Sequence, residues 1–253
     1  MKTMKTMIEV KDLCKNFGDE QILKGISLSI EEGEFVAVMG QSGSGKSTLL
    51  YNISGMDKAS SGEILFDGKD MTDMKEEELE KMRLLKMGFI FQNSCLLKNL
   101  SIRDNIVLPG FHAGVQPREE VNQKAIALME RLEILNVAEH DIKKVSGGQL
   151  QRAAVCRALM NDPAVLFGDE PTGALNYSAT GEVMDILNRV NQEGTTVMLV
   201  THDARVAARA DRVIFLVDGN VRDQIQIGKY GETREKDEKR EEVLLQWLGE
   251  RGF

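Results

Sequence analysis

Gly40-Gln41-Ser42-Gly43-Ser44-Gly45-Lys46-Ser47 fits the pattern G-x-x-x-x-G-K-[ST] at every position. A nucleoside triphosphate needs many donors in a small volume. Glycines let the backbone curl until consecutive N–H groups point inward. A helix opening near Lys46 adds its free N–H groups and the positive end of its dipole. Lys46 supplies a point charge for the β- and γ-phosphates, Ser47 a hydroxyl for Mg²⁺, and Thr48 a bond to the α- or β-phosphate. Far downstream, Ala164-Val165-Leu166-Phe167-Gly168-Asp169-Glu170-Pro171 is an apolar run ending in two carboxylates. Ligands of parallel sheets sit beyond the carboxyl ends of the strands. Asp169 is therefore expected to face Mg²⁺ through a water. Strand alternation turns Glu170 the other way, where it holds the attacking water as general base.

A second anion site is expected at Val145-Ser146-Gly147-Gly148-Gln149-Leu150-Gln151-Arg152, directly before a long helical run. Ser146 offers a hydroxyl, Gly147 and Gly148 bare N–H groups, and the helix its dipole. If the two anion sites face outward from different parts of one chain, a single nucleotide cannot use both. Two chains placed head to tail can, each ATP lying between the phosphate loop of one and the Ser146–Gln149 segment of the other, in a two-fold dimer.

The elements that position these groups follow from periodicity. Ile26 to Ile30 alternates strictly, as a half-buried strand does, whereas Phe35 to Met39 is continuously apolar, as expected of a central strand covered on both faces. A hairpin turning at Asp67-Gly68 is expected within residues 62–73, and an amphipathic helix over 75–86. Residues 95–160 lose strand signals and gain helical periodicity, which predicts a helical subdomain inserted into an α/β frame. Strands then alternate with helices (Val165, Val197 and Ile214 runs against 179–191 and 204–210), which predicts a mostly parallel sheet. The tail is charged from Lys229 to Glu242 and then apolar. Its i,i+4 pairs Val243/Trp247 and Leu244/Leu248 predict a terminal amphipathic helix, packed on its own domain or on a second subunit.

The 253 residues, 42% hydrophobic and 28% charged, suffice for one α/β domain with an insertion. The longest apolar runs are strand-length, and the N-terminus lacks a signal-peptide stretch, so any membrane role is expected through a partner. A formal net charge of −8 argues against nucleic acid as a partner. Cys14, Cys95 and Cys156 are far apart and lack zinc spacing, which fits a reducing compartment.

Over about residues 7–228 the sequence resembles the ATP-binding cassette (ABC) family of transporter ATPases, with its motifs in the family's order. Beyond the phosphate loop, the Ser146–Gln149 signature and the acid pair, Gln92 in Phe91-Gln92-Asn93 matches the loop glutamine that ligates Mg²⁺ and hinges the helical subdomain. His202 in Val200-Thr201-His202-Asp203 matches the switch histidine, and Phe17 the aromatic that stacks on adenine. The resemblance implies a P-loop NTPase (RecA-like) core with an antiparallel β subdomain and an inserted helical signature subdomain, with Glu170, His202 and Gln92 as catalytic groups. It departs from the family in Val145, where Leu is usual, and in Asn176, where many members carry Asp. Thr172-Gly173-Ala174-Leu175-Asn176 and Asn105-Ile106-Val107-Leu108-Pro109 look most like the subgroup for lipoprotein release, macrolide export and antimicrobial-peptide (bacitracin-type) resistance, the peptide-resistance branch being nearest. That subgroup implies an ATPase homodimer on the cytoplasmic face of the membrane, bound to an integral permease with a large extracellular domain. A second reading of the same ATP cycle is mechanotransmission or sensing through a membrane partner without transport. A chromosome or repair ATPase would need a long coiled-coil insertion, and a small-molecule kinase would leave Ser146–Gln149 without a purpose.

Overall fold

The computed structural model describes residues 5–231 and 234–252, without the side chains of 234–236. Strands β1 (Thr6–Phe17), β2 (Glu20–Glu31) and β3 (Phe35–Met39) lead into helix α1 (Lys46–Ile53). Strands β4 (Ser61–Phe66) and β5 (Lys69–Asp70), helix α2 (Glu76–Lys86) and strand β6 (Met87–Phe91) follow. Residues 102–159 hold α3 (Ile102–Ala113), α4 (Arg118–Arg131), two short 3₁₀ turns and α5 (Gly147–Leu159). The chain then returns through β7 (Val165–Asp169), α6 (Tyr177–Gln192), β8 (Thr196–Thr201), α7 (Ala204–Ala207), β9 (Arg212–Val217), β10 (Asn220–Gln226) and α8 (Arg234–Gly249).

Two sheets form. One is antiparallel, ordered β2-β1-β4-β5, and its β4–β5 hairpin turns at Asp67 and Gly68, both at positive φ as a two-residue turn of this kind requires. The other is ordered β10-β9-β3-β8-β7-β6. Its strands from β9 to β6 run parallel, and only β10 is antiparallel. Alternate residues of the parallel strands enter two different cores. Val36, Val38, Phe167, Met198 and Ile214 pack toward α1 and the antiparallel sheet. Phe35, Ala37, Leu166, Leu199 and Phe215 pack toward the helical layer, where they meet Ile106, Val121, Met129 and Val155 of the 102–159 segment. Burial on both faces is why β3 and β8 read as unbroken apolar runs.

The parallel register decides where the chemistry lies. Met39 pairs with Thr201, Val200 with Asp169, and Asp169 with Phe91. The segments starting at Gly40, His202, Glu170 and Gln92 therefore leave the same edge of the sheet in that spatial order. Among the described residues, no helix is long and apolar enough to cross a membrane.

The tail helix packs on its own domain. Leu244, Trp247 and Leu248 join the helical-side core, with Phe215 and Trp247 edge to face at 6.2 Å between ring centroids. Arg240 is buried and donates to the carbonyls of Ala208 (2.6 Å), Ala210 (2.5 Å) and Gly228 (2.9 Å). The inward stripe is thus 240, 244, 247 and 248. Val243, expected to share it, lies at its margin and is half exposed. Truncating Leu244 to Ala should therefore cost about 2–5 kcal/mol, and Val243→Ala about 0.5 kcal/mol or less. Urea denaturation of the two variants checks this; equal midpoints would contradict the seating.

Candidate active site

A cavity of about 660 Å³ lies at the sheet edge, large enough for a nucleotide. Its floor is Ser42, Gly43, Gly45, Lys46, Ser47 and Thr48; Phe17 and Ile22 line it, as do Glu170 and His202. The floor owes its shape to glycine. A Cβ on Gly40 would come 2.2 Å from the Leu216 carbonyl oxygen, and Gly45, which precedes α1, has φ +97°. Of α1 to α7, only α1 begins with neither a side-chain cap nor an acid in its first turn. Its N-terminal donors face the loop, as an anion site requires. Lys46 is buried, and its ammonium donates to the Gly40 and Gln41 carbonyls at 2.9 and 2.8 Å. Burial lowers its pKa from the usual lysine value, while the charges of Glu170 and Asp169 act the other way.

Asp169 ends β7 and accepts bonds on both oxygens, from Ser47 Oγ at 2.7 Å and Tyr51 Oη at 2.5 Å. Burial, and then its bond to Asp169, pushes the Tyr51 phenol well above its ordinary pKa, so it stays a donor. Sequence reasoning passed over Tyr51. The available signal was its spacing of four residues from Ser47, which puts both on one face of α1.

Glu170 does not diverge from Asp169 by strand alternation, as expected. It has left the strand at φ 46°, and this left-handed residue swings the carboxylate toward His202, with Oε1 3.0 Å from Nδ1. Its N–H bonds to Val200 O, and its own carbonyl accepts from Gly173 N, both at 3.0 Å. Strain of about 1–3 kcal/mol is typical of such backbone, and it concentrates at functional sites. Gly173 sits between two expected site residues: a Cβ there would lie 2.9 Å from Gln92 Nε2 and 3.1 Å from Glu170 Oε2. Gln92 thus reaches the acid end of the site although it starts from a different strand.

The end of β6 and the loop after Gln92 are both tied to α5. Gln151 donates to Phe91 O at 3.0 Å, and Arg157 donates to Ser94 O (2.8 Å) and Cys95 O (2.6 Å). Beside His202, burial alone would raise the Asp203 carboxyl, but bonds from the Arg205 side chain and N–H hold it below its usual value. Asp203 thereby caps α7.

The fit to a metal is one of hard oxygens. A serine hydroxyl and a carboxylate stand within hydrogen-bonding distance, with a glutamine amide near the acid end. Among the described residues, no cluster of three or more His, Cys, Asp or Glu could hold a metal. The donor set therefore suits Mg²⁺ shared with phosphate oxygens, not an all-protein cage.

Ser146, Gly147, Gly148 and Gln149 are not in this cavity. Ser146 caps α5 in a reciprocal box, Gln149 N donating to its Oγ at 3.3 Å and Ser146 N to Gln149 Oε1 at 2.9 Å. As an acceptor in that box, the hydroxyl keeps its own proton to donate. Ser146 and Gly147 are exposed. The box abuts the loop before α6 and the first turn of α6: Cβ atoms on Gly147 and Gly148 would meet Leu175 (3.7 Å) and Ala179 (3.3 Å).

In that loop Asn176 caps α6, its Oδ1 accepting from Ala179 N at 2.9 Å. Aspartate caps equally well. Asn176→Asp should therefore leave stability unchanged, while Asn176→Ala should cost about 1 kcal/mol. Denaturation midpoints of both test whether the amide is there for its cap; an Asp variant as weak as Ala would say otherwise.

Comparison with known proteins agrees with this geometry. A family model described as ABC transporter matches residues 23–173. The lipoprotein-releasing system ATP-binding protein LolD of Leptospira interrogans is 45% identical over 222 residues, covering 87% of this chain and 93% of that protein. The macrolide export ATP-binding/permease protein MacB of Campylobacter jejuni is 45% identical over 215 residues, covering 85% of this chain. The chain spans about a third (33%) of the length of that relative. Among solved structures, a dimeric ATP-binding cassette in a post-hydrolysis state, bound to ADP and Pi, superposes with a TM-score of 0.82 at 38% identity, covering 88% of this chain and all of that one.

Proposed function

The chain belongs to the ABC transporter family as an ATP-binding cassette with the P-loop NTPase fold, and from that premise we propose that it hydrolyses Mg·ATP as a homodimer to drive a membrane permease. One observation carries this reading. The phosphate loop, the Glu170–His202 pair and Gln92 converge at one sheet edge, while the Ser146–Gln149 cap, exposed at Ser146 and Gly147, lies outside the nucleotide cavity there. A lone chain then supplies half of each site, and a second chain must bring its Ser146 hydroxyl and α5 N-terminus to the γ-phosphate.

In this reading Phe17 and Ile22 hold the base, and the loop N–H groups of residues 40–48 hold the phosphates. Lys46 turns from the Gly40 and Gln41 carbonyls to the β- and γ-phosphates. Ser47, Gln92 and Asp169 would hold Mg²⁺, which would draw charge from the phosphate oxygens. Glu170 takes the proton of the attacking water, and His202, 3.0 Å from the Glu170 carboxylate, holds that carboxylate and water in line. Two nucleotides bridging two surfaces drive closure by binding, and hydrolysis reopens the dimer.

The permease connection runs through the segment from Gln92 to Asn105. A groove of about 410 Å³ beside it is lined by Phe89, Phe91, Cys95, Pro109, Arg157 and Ala158. A permease segment seated there touches both the end of β6 and α5. Such docking places the chain at the inner face of the membrane. The permease selects the cargo: a macrolide or lipoprotein, as the relatives' names say of them, or an antimicrobial peptide, as the Thr172–Asn176 and Asn105–Pro109 resemblance implies. A large outer domain on the permease follows from the same resemblance.

Glu170→Gln should bind ATP and dimerise, yet lose turnover by about 10²- to 10⁴-fold. Phosphate release and light scattering read the two properties; unchanged turnover would remove Glu170 from the base role. Lys46→Ala should abolish binding of a fluorescent ATP analogue, and intact binding would discredit the phosphate-loop assignment. For the wild-type chain, the rate of phosphate release should rise more than linearly with protein concentration, whereas strict proportionality would argue for a complete site in each monomer.

A further inference from the structure

The Asp169 carboxylate is gripped from α1 on both sides, Ser47 Oγ donating to Oδ1 and Tyr51 Oη to Oδ2. The two grips differ in what the proposed reaction asks of them. Ser47 lines the nucleotide cavity, and its hydroxyl has a second task there, because its oxygen can be shared with the metal while its proton stays on Oδ1 of Asp169. Tyr51 does not line that cavity. Its ring packs against the core between α1 and the antiparallel sheet, which a phenylalanine would do equally well. Packing alone therefore leaves the hydroxyl unexplained, and its partner at 2.5 Å is the carboxylate that the functional reading turns toward the metal.

We propose that Tyr51 is a positioning residue for Mg²⁺ binding: its O–H holds Oδ2 of Asp169 while the Ser47 oxygen is shared with the metal, so that the carboxylate keeps its orientation toward the metal's water shell. This deepens the functional reading above and rests on it. The physical argument is one of geometry. Mg²⁺ demands near-octahedral oxygens and sheds water reluctantly, so a carboxylate acting through water must hold its orientation closely. Asp169 is the last residue of β7, and the next residue has already left the strand, so the strand fixes its Cα better than its side-chain torsions. A donor on the distal oxygen fixes those torsions. Outer donors of this kind typically govern metal affinity by about 10- to 100-fold.

The test uses the full chain carrying Glu170→Gln, so that nucleotide persists, with and without Tyr51→Phe. Binding of a ribose-labelled fluorescent ATP analogue is followed first in EDTA and then through a MgCl₂ titration. In EDTA the two proteins should bind alike, because the phosphate loop is intact in both. With metal, the Mg²⁺ midpoint of the Tyr51→Phe protein should lie about tenfold higher. Tyr51→Leu, which also lacks the hydroxyl, should show the same displacement. Coincident Mg²⁺ midpoints overturn the inference, and a lowered thermal midpoint with an unmoved Mg²⁺ midpoint overturns it in favour of a purely structural bond. Should the Glu170→Gln parent show no Mg²⁺-dependent step at all, the functional reading itself fails and this inference falls with it.

Discussion

Everything at the site depends on the parallel register of β3, β8, β7 and β6. Because Met39 pairs with Thr201, and Asp169 with both Val200 and Phe91, four segments remote in sequence begin at one level along one edge. Parallel strands need crossovers, and each crossover here contains at least one helix. The two faces are filled by alternate residues of the same strands, so a register slip of one residue would exchange both cores at once. That penalty fixes the register, and the register fixes which residues can meet. Glu170 and His202 approach to 3.0 Å because they follow adjacent strands, not through any local affinity.

Motifs with a fixed local conformation were the ones legible in sequence. Gly40–Ser47 specifies its own loop because positive φ and close backbone approach leave glycine little competition. The apolar runs of β3, β7 and β8, the Asp67-Gly68 turn and the tail helix followed from period and turn chemistry. What stayed hidden was set by contacts between elements. Glu170 was assigned its direction by strand pleat, but the pleat ends at Asp169, and a hydrogen bond to Val200 O holds the following residue left-handed. Tyr51 resembled an ordinary helix residue until β7 placed a carboxylate beside it. The buried face of the tail helix turned on Arg240, a residue that composition assigns to the surface and that backbone carbonyls draw inward.

The two helix N-termini that matter treat their free donors in opposite ways. α1 opens on a left-handed glycine with no side chain to answer its N–H groups, and the Lys46 ammonium lies folded onto the loop's own carbonyls. A triphosphate entering there meets donors that nothing within the helix satisfies. α5 is closed by the Ser146–Gln149 box, which satisfies its donors in part and gives the turn a definite shape in solvent. The first arrangement suits a site that must bind tightly. The second suits a surface that has to stay ordered in solvent, and its proximity to Leu175 and Ala179 ties it to the segment that follows Glu170.

The same economy of connection reaches the tail. His202 is followed at once by Asp203, whose carboxylate caps the single turn of α7 and chelates Arg205. The chain beyond α7 offers the carbonyls of Ala208 and Ala210 to Arg240. Few residues therefore separate the histidine facing the Glu170 carboxylate from the guanidinium that anchors α8. Each link is a charged or backbone hydrogen bond of 2.5–3.0 Å, and the Arg240 links are buried. Leaving those carbonyls unpaired in the core would cost about 1–3 kcal/mol each. The tail helix is thus part of what holds the backbone after His202 in place, and the geometry of His202 rests on a core that extends to Leu248.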